Sequence, residues 1–323
     1  MTGMTNGAGQ GGRRDCLGWI DGRFVAADSL AIPVGDAGFV LGTTVTEQLR
    51  TFGGRVFLPD DHARRMTRSL AVAGIDPGMP VARIFEAAAE VAARNHAAGD
   101  PDDDLGLCVL ATPGDLPAQH GGRHGRPRVI VHAFPLAFML WADAYSEGIS
   151  LASVSVRQVP KDCWPLDLKC RSRMHYHLAD REAAARHPGA RALLCHADGR
   201  VSETSTANVV VVRDGRLASP PPGDALPGIS LTFVRKLALD RGMAWEERTL
   251  SIDDCVFADE LLLTSTPSCL LPVTMLDGRR IGNGRPGPVF RGLLAAWSGS
   301  VGVDIAAQAA GRVRAMRAAT PDA

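Results

Sequence analysis

The sequence predicts an α+β chain built as two domains, and three observations carry that prediction. Four Asp-Gly pairs, each followed by Arg, stand at Asp21-Gly22, Asp198-Gly199, Asp214-Gly215 and Asp277-Gly278 between apolar or β-branched runs. Such pairs are the strongest short-range hairpin signal, so antiparallel strands must be plentiful. Helical stretches with start and stop signals lie between them. A composition break near residues 133–147 then separates two halves, each long enough for its own core.

Taken in order, residues 1–14 form a Gly/Thr/Asn-rich tail without an apolar run, and 15–135 form a smaller N-terminal domain. Within it Asp60 or Asp61 is placed to cap DDHARRMTRSLAVAG, and Pro80 opens VARIFEAAAEVAARNHAA. The polar loops at 99–104 and 113–127 face solvent, the second as a candidate lid. An apolar connector, 136–147, leads to a larger domain over 148–304. There ISLTFVRKLALDRG ends at Gly242, and Ser251 with Asp254 makes a capping box before a short helix. Residues 305–323 read as an Ala/Arg-rich tail, frayed helix or coil.

Composition narrows the function. Lys plus Arg equals Asp plus Glu at 35 each, so no global field draws nucleic acid or an anionic membrane, and a small molecule is the expected partner. Seven cysteines with no C-x-x-C pair suit a reducing cytoplasm better than a disulfide framework or a zinc site. No apolar run is long enough to span a bilayer. A literal G-x-G-x-x-G at Gly282, Gly284 and Gly287 contains Pro286 and has only 36 residues after it, too few for a dinucleotide-binding unit. It reads as a loop before the helix PVFRGLLAAW. No H-E-x-x-H, G-x-S-x-G or Walker pattern is present.

Lysine usage points to a chemistry. Only Lys161, Lys169 and Lys236 occur, against 32 arginines. Arginine keeps its proton and cannot attack an aldehyde, whereas a lysine with a lowered pKa can form an imine with a carbonyl cofactor. Lys169, in DLKCRSRMHYHLADREA, is the best placed of the three. Glu203 follows 34 residues later in GRVSETSTANVVVV.

These segments together resemble the class IV, fold-type IV pyridoxal-phosphate enzymes, which include branched-chain and D-amino-acid aminotransferases and aminodeoxychorismate lyase. The likeness begins at WIDGRFV and runs through VGDAGFVLGTTVTEQLRTFGGRVFLPDDHARRM and the Lys169 segment. It continues through LLCHADGRVSETSTANVVVVRDGRLASPP, ALPGISLTFVRKLA and ADELLLTSTPSCLLPVTMLDGRRIGNGRPGPVFRGLL. Six blocks in the right order are a strong signal.

The resemblance implies a smaller N-terminal α/β domain, a larger β-rich pseudo-barrel domain, and pyridoxal 5'-phosphate as cofactor. Lys169 is then the catalytic residue, holding the cofactor as an aldimine and shuttling the proton of the substrate α-carbon. Glu203 accepts a hydrogen bond from the pyridine nitrogen. Arg65, favoured over Arg64 and Arg68 by its HxxR spacing from His62, binds phosphate with Ile229 and Ser230 at a helix start and with Ser265 and Thr266 in the LTSTPS turn. Leu226 packs on the ring, and Glu47 and Arg50 lie near the substrate side.

Several positions depart from the family pattern. Met174 stands where branched-chain enzymes carry tyrosine, so either Arg173, His175 or Tyr176 takes that place or the role is absent. Thr46 and Ala37 replace customary residues, and Thr112-Pro113-Gly114 lacks the arginine of D-specific members. The expected activity is transfer of an amino group between an amino acid, branched-chain-like or otherwise apolar, and a 2-keto acid. Aminodeoxychorismate lyase and a degenerate, non-catalytic member are the alternatives, and a homodimer is the implied assembly.

Overall fold

A computed structural model describes residues 16–319; the N-terminal tail of the sequence reading lies outside them. The first half builds one antiparallel sheet. Strands β1 (Leu17–Ile20) and β2 (Arg23–Ala26) precede a single-turn helix α1 (Ala37–Val40), then β3 (Val45–Phe52) and β4 (Arg55–Val56). Helices α2 (Pro59–Ala73) and α3 (Val81–Ala97) follow, and β5 (Leu105–Thr112) and β6 (Arg128–Pro135) complete a sheet of order β2-β1-β6-β5-β3-β4.

Both helices pack on one face of this sheet because their apolar residues recur at helical spacing. On α2 the buried positions are His62, Met66, Ser69 and Leu70; on α3 they include Ile84, Ala88, Val91 and Asn95. They meet Val45, Leu49, Leu107 and Val109 in one core. Helix α2 starts two or three residues earlier than a cap at Asp60 or Asp61 would give. Leu58, with φ of 48°, is its N-cap and Pro59 its first residue. Proline suits that first position, so Asp60 and Asp61 fall in the first turn, where their charge meets the positive end of the helix dipole.

The stretch 136–147 carries the chain across, with a short helix α4 (Ala144–Glu147) at its end. It is not a free linker: Leu136, Phe138, Trp141 and Tyr145 are buried in the core of the second half. That half contains β7 (Ile149–Arg157), α5 (Met174–Arg186), β8 (Arg191–Cys195), β9 (Val201–Thr204), β10 (Asn208–Arg213) and β11 (Arg216–Ser219). Then come α6 (Ile229–Leu239), β12 (Trp245–Glu247), α7 (Ile252–Val256), β13 (Glu260–Ser265), β14 (Cys269–Leu276) and β15 (Arg279–Arg280). Helices α8 (Pro288–Val301) and α9 (Ile305–Ala319) end the described chain.

The second sheet runs β12-β11-β10-β13-β14-β7-β8-β9, and pairing of β9 with β10 closes the strands from β10 round to β9 into a barrel. The closing contact is Asn208 opposite Glu203, which places that carboxylate at the barrel rim. All four Asp-Gly pairs sit at hairpin turns, β1–β2, β8–β9, β10–β11 and β14–β15. At three of them both residues have positive φ, the geometry whose twist matches the flanking strands. The capping box of Ser251 and Asp254 is formed on α7. Helix α6 stops at Leu239, and Gly242, with φ of 72°, turns the chain after it.

One segment differs from its sequence reading, and another gains a physical reason. The C-terminal segment is an ordered helix, with Ile305, Ala309 and Val313 buried in the larger core. The G-x-G-x-x-G segment is the expected loop, and its last glycine has a specific reason. A Cβ on Gly287 would lie 2.0 Å from the Glu260 carboxyl carbon, and that carboxylate accepts from Val289 and Phe290 amides at 2.7 and 2.8 Å. The glycine makes room for a side-chain carboxylate that satisfies the start of α8, as an N-cap would. All seven cysteines are unpaired. Among the described residues no helix is long and apolar enough to cross a membrane.

Candidate active site

A cleft of about 260 Å³ opens where β3 of the first sheet faces the barrel rim. Lys169, Glu203, Leu226 and Thr266 line it together, with Arg171, Arg173 and Tyr176. Lys169 lies on no regular element. Its segment is tied to the start of β3 by a bridge between Cys170 and Val45, flanked by Thr46 N–H to Lys169 carbonyl (3.0 Å) and Arg171 N–H to Thr44 carbonyl (2.9 Å). The Lys169 amide also donates to Ser69 Oγ on α2 at 3.2 Å. An extended segment held at three points fixes where the amine projects.

That amine is chemically prepared. Burial, then the positive charge of Arg65, pulls the Lys169 pKa down to about 8. At neutral pH roughly a tenth of the side chain is therefore the free nucleophile, against less than about a thousandth for an ordinary lysine.

Glu203 is buried and saturated with donors. It accepts from Tyr176 Oη (2.7 Å), Gln158 Nε2 (3.1 Å), Asn208 Nδ2 (3.2 Å) and the Leu226 amide (3.3 Å). Burial raises its pKa, and the Tyr176 and Leu226 hydrogen bonds oppose the rise. Asn208 also donates to the Leu226 carbonyl at 2.8 Å. A Cβ on Gly228 would meet Asn208 Oδ1 at 1.9 Å, so glycine is required there for this clamp to close.

The groups expected to hold a phosphate lie at the neighbouring edge. Arg65 and Ile229 line a groove next to the cleft, on either side of Pro227. Helix α6 begins at Ile229 with no side-chain cap, so its first amides, including those of Ile229 and Ser230, have no partner within the helix. Ser230 is buried. In the other turn Thr266 reaches the cleft, whereas Ser265 Oγ is paired with Ser268 Oγ at 2.8 Å.

Glu47 and Arg50, expected near the substrate side, are placed elsewhere. Side chains alternate across a strand, and on β3 it is Thr46 and Gln48 that line the cleft. Glu47 points to α2, fully buried, where its carboxylate accepts from Arg65 Nε (2.8 Å) and Nη2 (2.7 Å) and pairs with His62 Nδ1 (2.8 Å). Burial opposes its ionisation, yet Arg65 and His62 outweigh it and hold the pKa at about 2. Arg50 shares the cleft-facing parity but lies further along, covered by the turn before β14 and by α9. It donates to the Pro267 carbonyl (2.6 Å), Cys269 Sγ (3.3 Å) and Gln308 Oε1 (2.8 Å).

Of the candidates for the place left by Met174, Tyr176 and Arg173 line the cleft, and Met174 is 70% exposed. Gln158, Asn208, Ser69 and Arg171 carried no signal in the sequence, because each acts through a contact distant in the chain or beside a residue already singled out. Among the described residues no group of His, Cys, Asp and Glu is arranged to hold a metal ion.

A buried lysine of lowered pKa and a buried carboxylate share one cleft at the barrel rim, with an uncapped helix start at its edge, in a chain with the fold of the fold-type IV aminotransferases. The family model for class IV amino-transferases matches residues 44–276, and the chain belongs to that family, whose members depend on pyridoxal phosphate. It is 28% identical over 285 residues to a D-alanine aminotransferase of Bacillus licheniformis, covering 87% of this chain and 96% of that one. It is 30% identical over 277 residues to a putative branched-chain-amino-acid aminotransferase of Methanocaldococcus jannaschii, covering 85% and 93%. The crystal structure of the Escherichia coli branched-chain amino acid aminotransferase superposes with a TM-score of 0.81 at 27% identity, over 88% of this chain and 93% of that one. The T.th. branched-chain amino acid aminotransferase with pyridoxamine 5'-phosphate gives 0.79 at 27% identity, over 88% and 94%.

Proposed function

We propose that this chain is a pyridoxal-phosphate aminotransferase that moves an amino group between an amino acid and a 2-keto acid. The observation that carries the reading is the pairing of an amine brought to about 8 with a buried carboxylate on the same cleft. The residues fit the cofactor at each end. Lys169 would be the amine that binds it, Glu203 would accept from its pyridine nitrogen, and Arg65 with the amides of Ile229 and Ser230 would hold its phosphate. Ser265 and Thr266 belong to the opposite turn, with Thr266 alone reaching the cleft.

When bound, pyridoxal phosphate supplies an aldehyde and an electron-accepting ring. Lys169 Nζ would take the proton from the substrate α-carbon and deliver it to the former aldehyde carbon of the cofactor. The Glu203 carboxylate holds a proton on the ring nitrogen, and the donors from Tyr176, Gln158 and Asn208 keep it aimed. Leu226 offers its side chain to one ring face. Glu47 acts at a distance, orienting Arg65.

The amino acid expected is branched-chain-like or otherwise apolar, to be met by Ala207, Leu226 and Pro267 beside the polar walls of Thr46, Gln48, Thr204, Ser205 and Thr206. Exposed Val34, Phe39, Leu41 and Met174 suit burial against a second copy, and light scattering after size exclusion should report a dimer.

The test uses the holoenzyme and a panel of L- and D-amino acids. Conversion of the cofactor band to that of pyridoxamine phosphate by single amino acids is expected, with none in Lys169→Ala. Release of pyruvate from aminodeoxychorismate without that conversion would place the enzyme with the lyases instead, and no change with any substrate would indicate a non-catalytic member.

A further inference from the structure

Arg171 lines the cleft and has no carboxylate partner: among the described residues it forms no ion pair with Asp or Glu. Its Nη2 donates to Cys108 Sγ at 2.9 Å, and although burial raises that thiol's pKa, His132, Arg171 and Thr46 outweigh it and bring it to about 7. Two other charges at the cleft have partners. Glu203 has four donors. Arg173 donates to the Ser205 carbonyl and stacks over the Tyr176 ring at 4.6 Å. The walls thus carry Lys169, Arg171 and Arg173 against the single acid Glu203, and an anion is drawn in.

Position makes Arg171 specific. Lys169 and Arg171 flank the Cys170–Val45 bridge, and side chains two apart on an extended segment leave on the same face, about 7 Å apart. The carboxylate of an amino acid is bonded to the very carbon whose proton Lys169 would move. A guanidinium rooted two residues along can fork onto that carboxylate while the lysine addresses its neighbour. Cys108 aims the fork: it stands on β5 opposite His132 of β6, with Thr46 Oγ1 at 3.4 Å from its sulfur.

We infer that Arg171 is the anchor for the substrate's α-carboxylate, so that the enzyme takes amino acids and 2-keto acids and discriminates against amines without a carboxylate. The inference rests on the aminotransferase reading, but its test separates the two. Holoenzyme and its Arg171→Met and Arg171→Lys variants are compared in kcat/KM for the best amino acid of the panel. Each is also titrated with propionate, a carboxylate that cannot react, followed by the cofactor absorbance. Arg171→Met should keep the cofactor band, lose about 10- to 100-fold in kcat/KM, chiefly through KM, and no longer respond to propionate. Arg171→Lys, which keeps the charge without the fork, should fall between. A wild-type KM and propionate response in Arg171→Met, or loss of its cofactor band, would overturn the assignment. If wild type turned over no amino acid yet bound propionate through Arg171, the anchor would stand and the aminotransferase reading would fall.

Discussion

Replacing Glu47 by Gln tests the most strongly coupled charge in the small domain. The substitution keeps size and removes the charge that Arg65 grips with two nitrogens and His62 with one. Two routes give its magnitude. The depression of the Glu47 pKa from 4.5 to about 2 corresponds to about 3 kcal/mol of folding stability. Separately, removing one partner from a buried ion pair costs about 3–5 kcal/mol, since the other charge is left in low dielectric; the Arg65 side chain is only 9% exposed. Because the folded pKa is depressed, the contribution is complete above pH 4.5 and is lost as pH falls toward 2. His62 adds a pH dependence of its own: burial lowers its pKa from 6.5, so the folded state disfavours its protonated form and stability also declines as pH drops below 6.5. Urea unfolding of the cofactor-free protein, which removes any ligand contribution, should show Glu47→Gln weaker by about 3 kcal/mol at both pH 7 and pH 5. A loss below about 1 kcal/mol, or one that shrinks between those two pH values, would refute the reasoning.

Lys169→Arg is expected to be as inactive as Lys169→Ala, because charge is retained and the nucleophile is not; measurable turnover in either would remove Lys169 from its role. In wild type, the rate of cofactor attachment to the cofactor-free protein should rise with pH through about 8 and level off above it, as the Lys169 amine loses its proton; stopped-flow absorbance reads this directly. Glu203→Gln should retain cofactor but slow α-proton removal at least about 100-fold, visible as a primary isotope effect with α-deuterated substrate. Ile305→Ala, at a position with no exposed surface, should destabilise by about 2–4 kcal/mol in a denaturant series, and a value near zero would mean α9 is not part of the core.

Local rules made much of the architecture readable in advance. Asp-Gly turns, a proline at a helix start and a capping box each act within a few residues, and each is found where the sequence put it. Lys169 and Glu203, which share one cleft, could be singled out for another reason: lysine is rare in this chain, and the segments around both resemble those of a known family. Contacts that join distant segments were not readable. Nothing in TTVTEQLRTF says that Gln48 will look into a cleft while Glu47 looks away, since alternation fixes relative faces and only tertiary packing decides which face meets the barrel. The C-terminal helix hid for a similar cause. Its Ala/Arg composition gives a weak amphipathic signal, and its anchors, Gln308 to Arg50 and to Asp104 at 2.8 Å each, come from the other half of the chain.

The pairing of Arg65 with Glu47 bears on its proposed phosphate role, because a guanidinium fully engaged by protein would have nothing left for a ligand. Arginine has five N–H groups in one plane. Three are accounted for, Nε and Nη2 on Glu47 and Nη1 on the Pro227 carbonyl at 2.9 Å. The remaining two are one on each terminal nitrogen, and the one on Nη2 points away from Nε, because its other hydrogen is on Glu47 beside that of Nε. Pro227 immediately precedes Gly228, the N-cap of α6, so the same contact that consumes one donor draws the guanidinium toward the free amides of Ile229 and Ser230. The carboxylate therefore does not compete with an incoming phosphate. It fixes the plane of the fork before a ligand arrives, and ordering that side chain in advance lowers the entropy lost on binding.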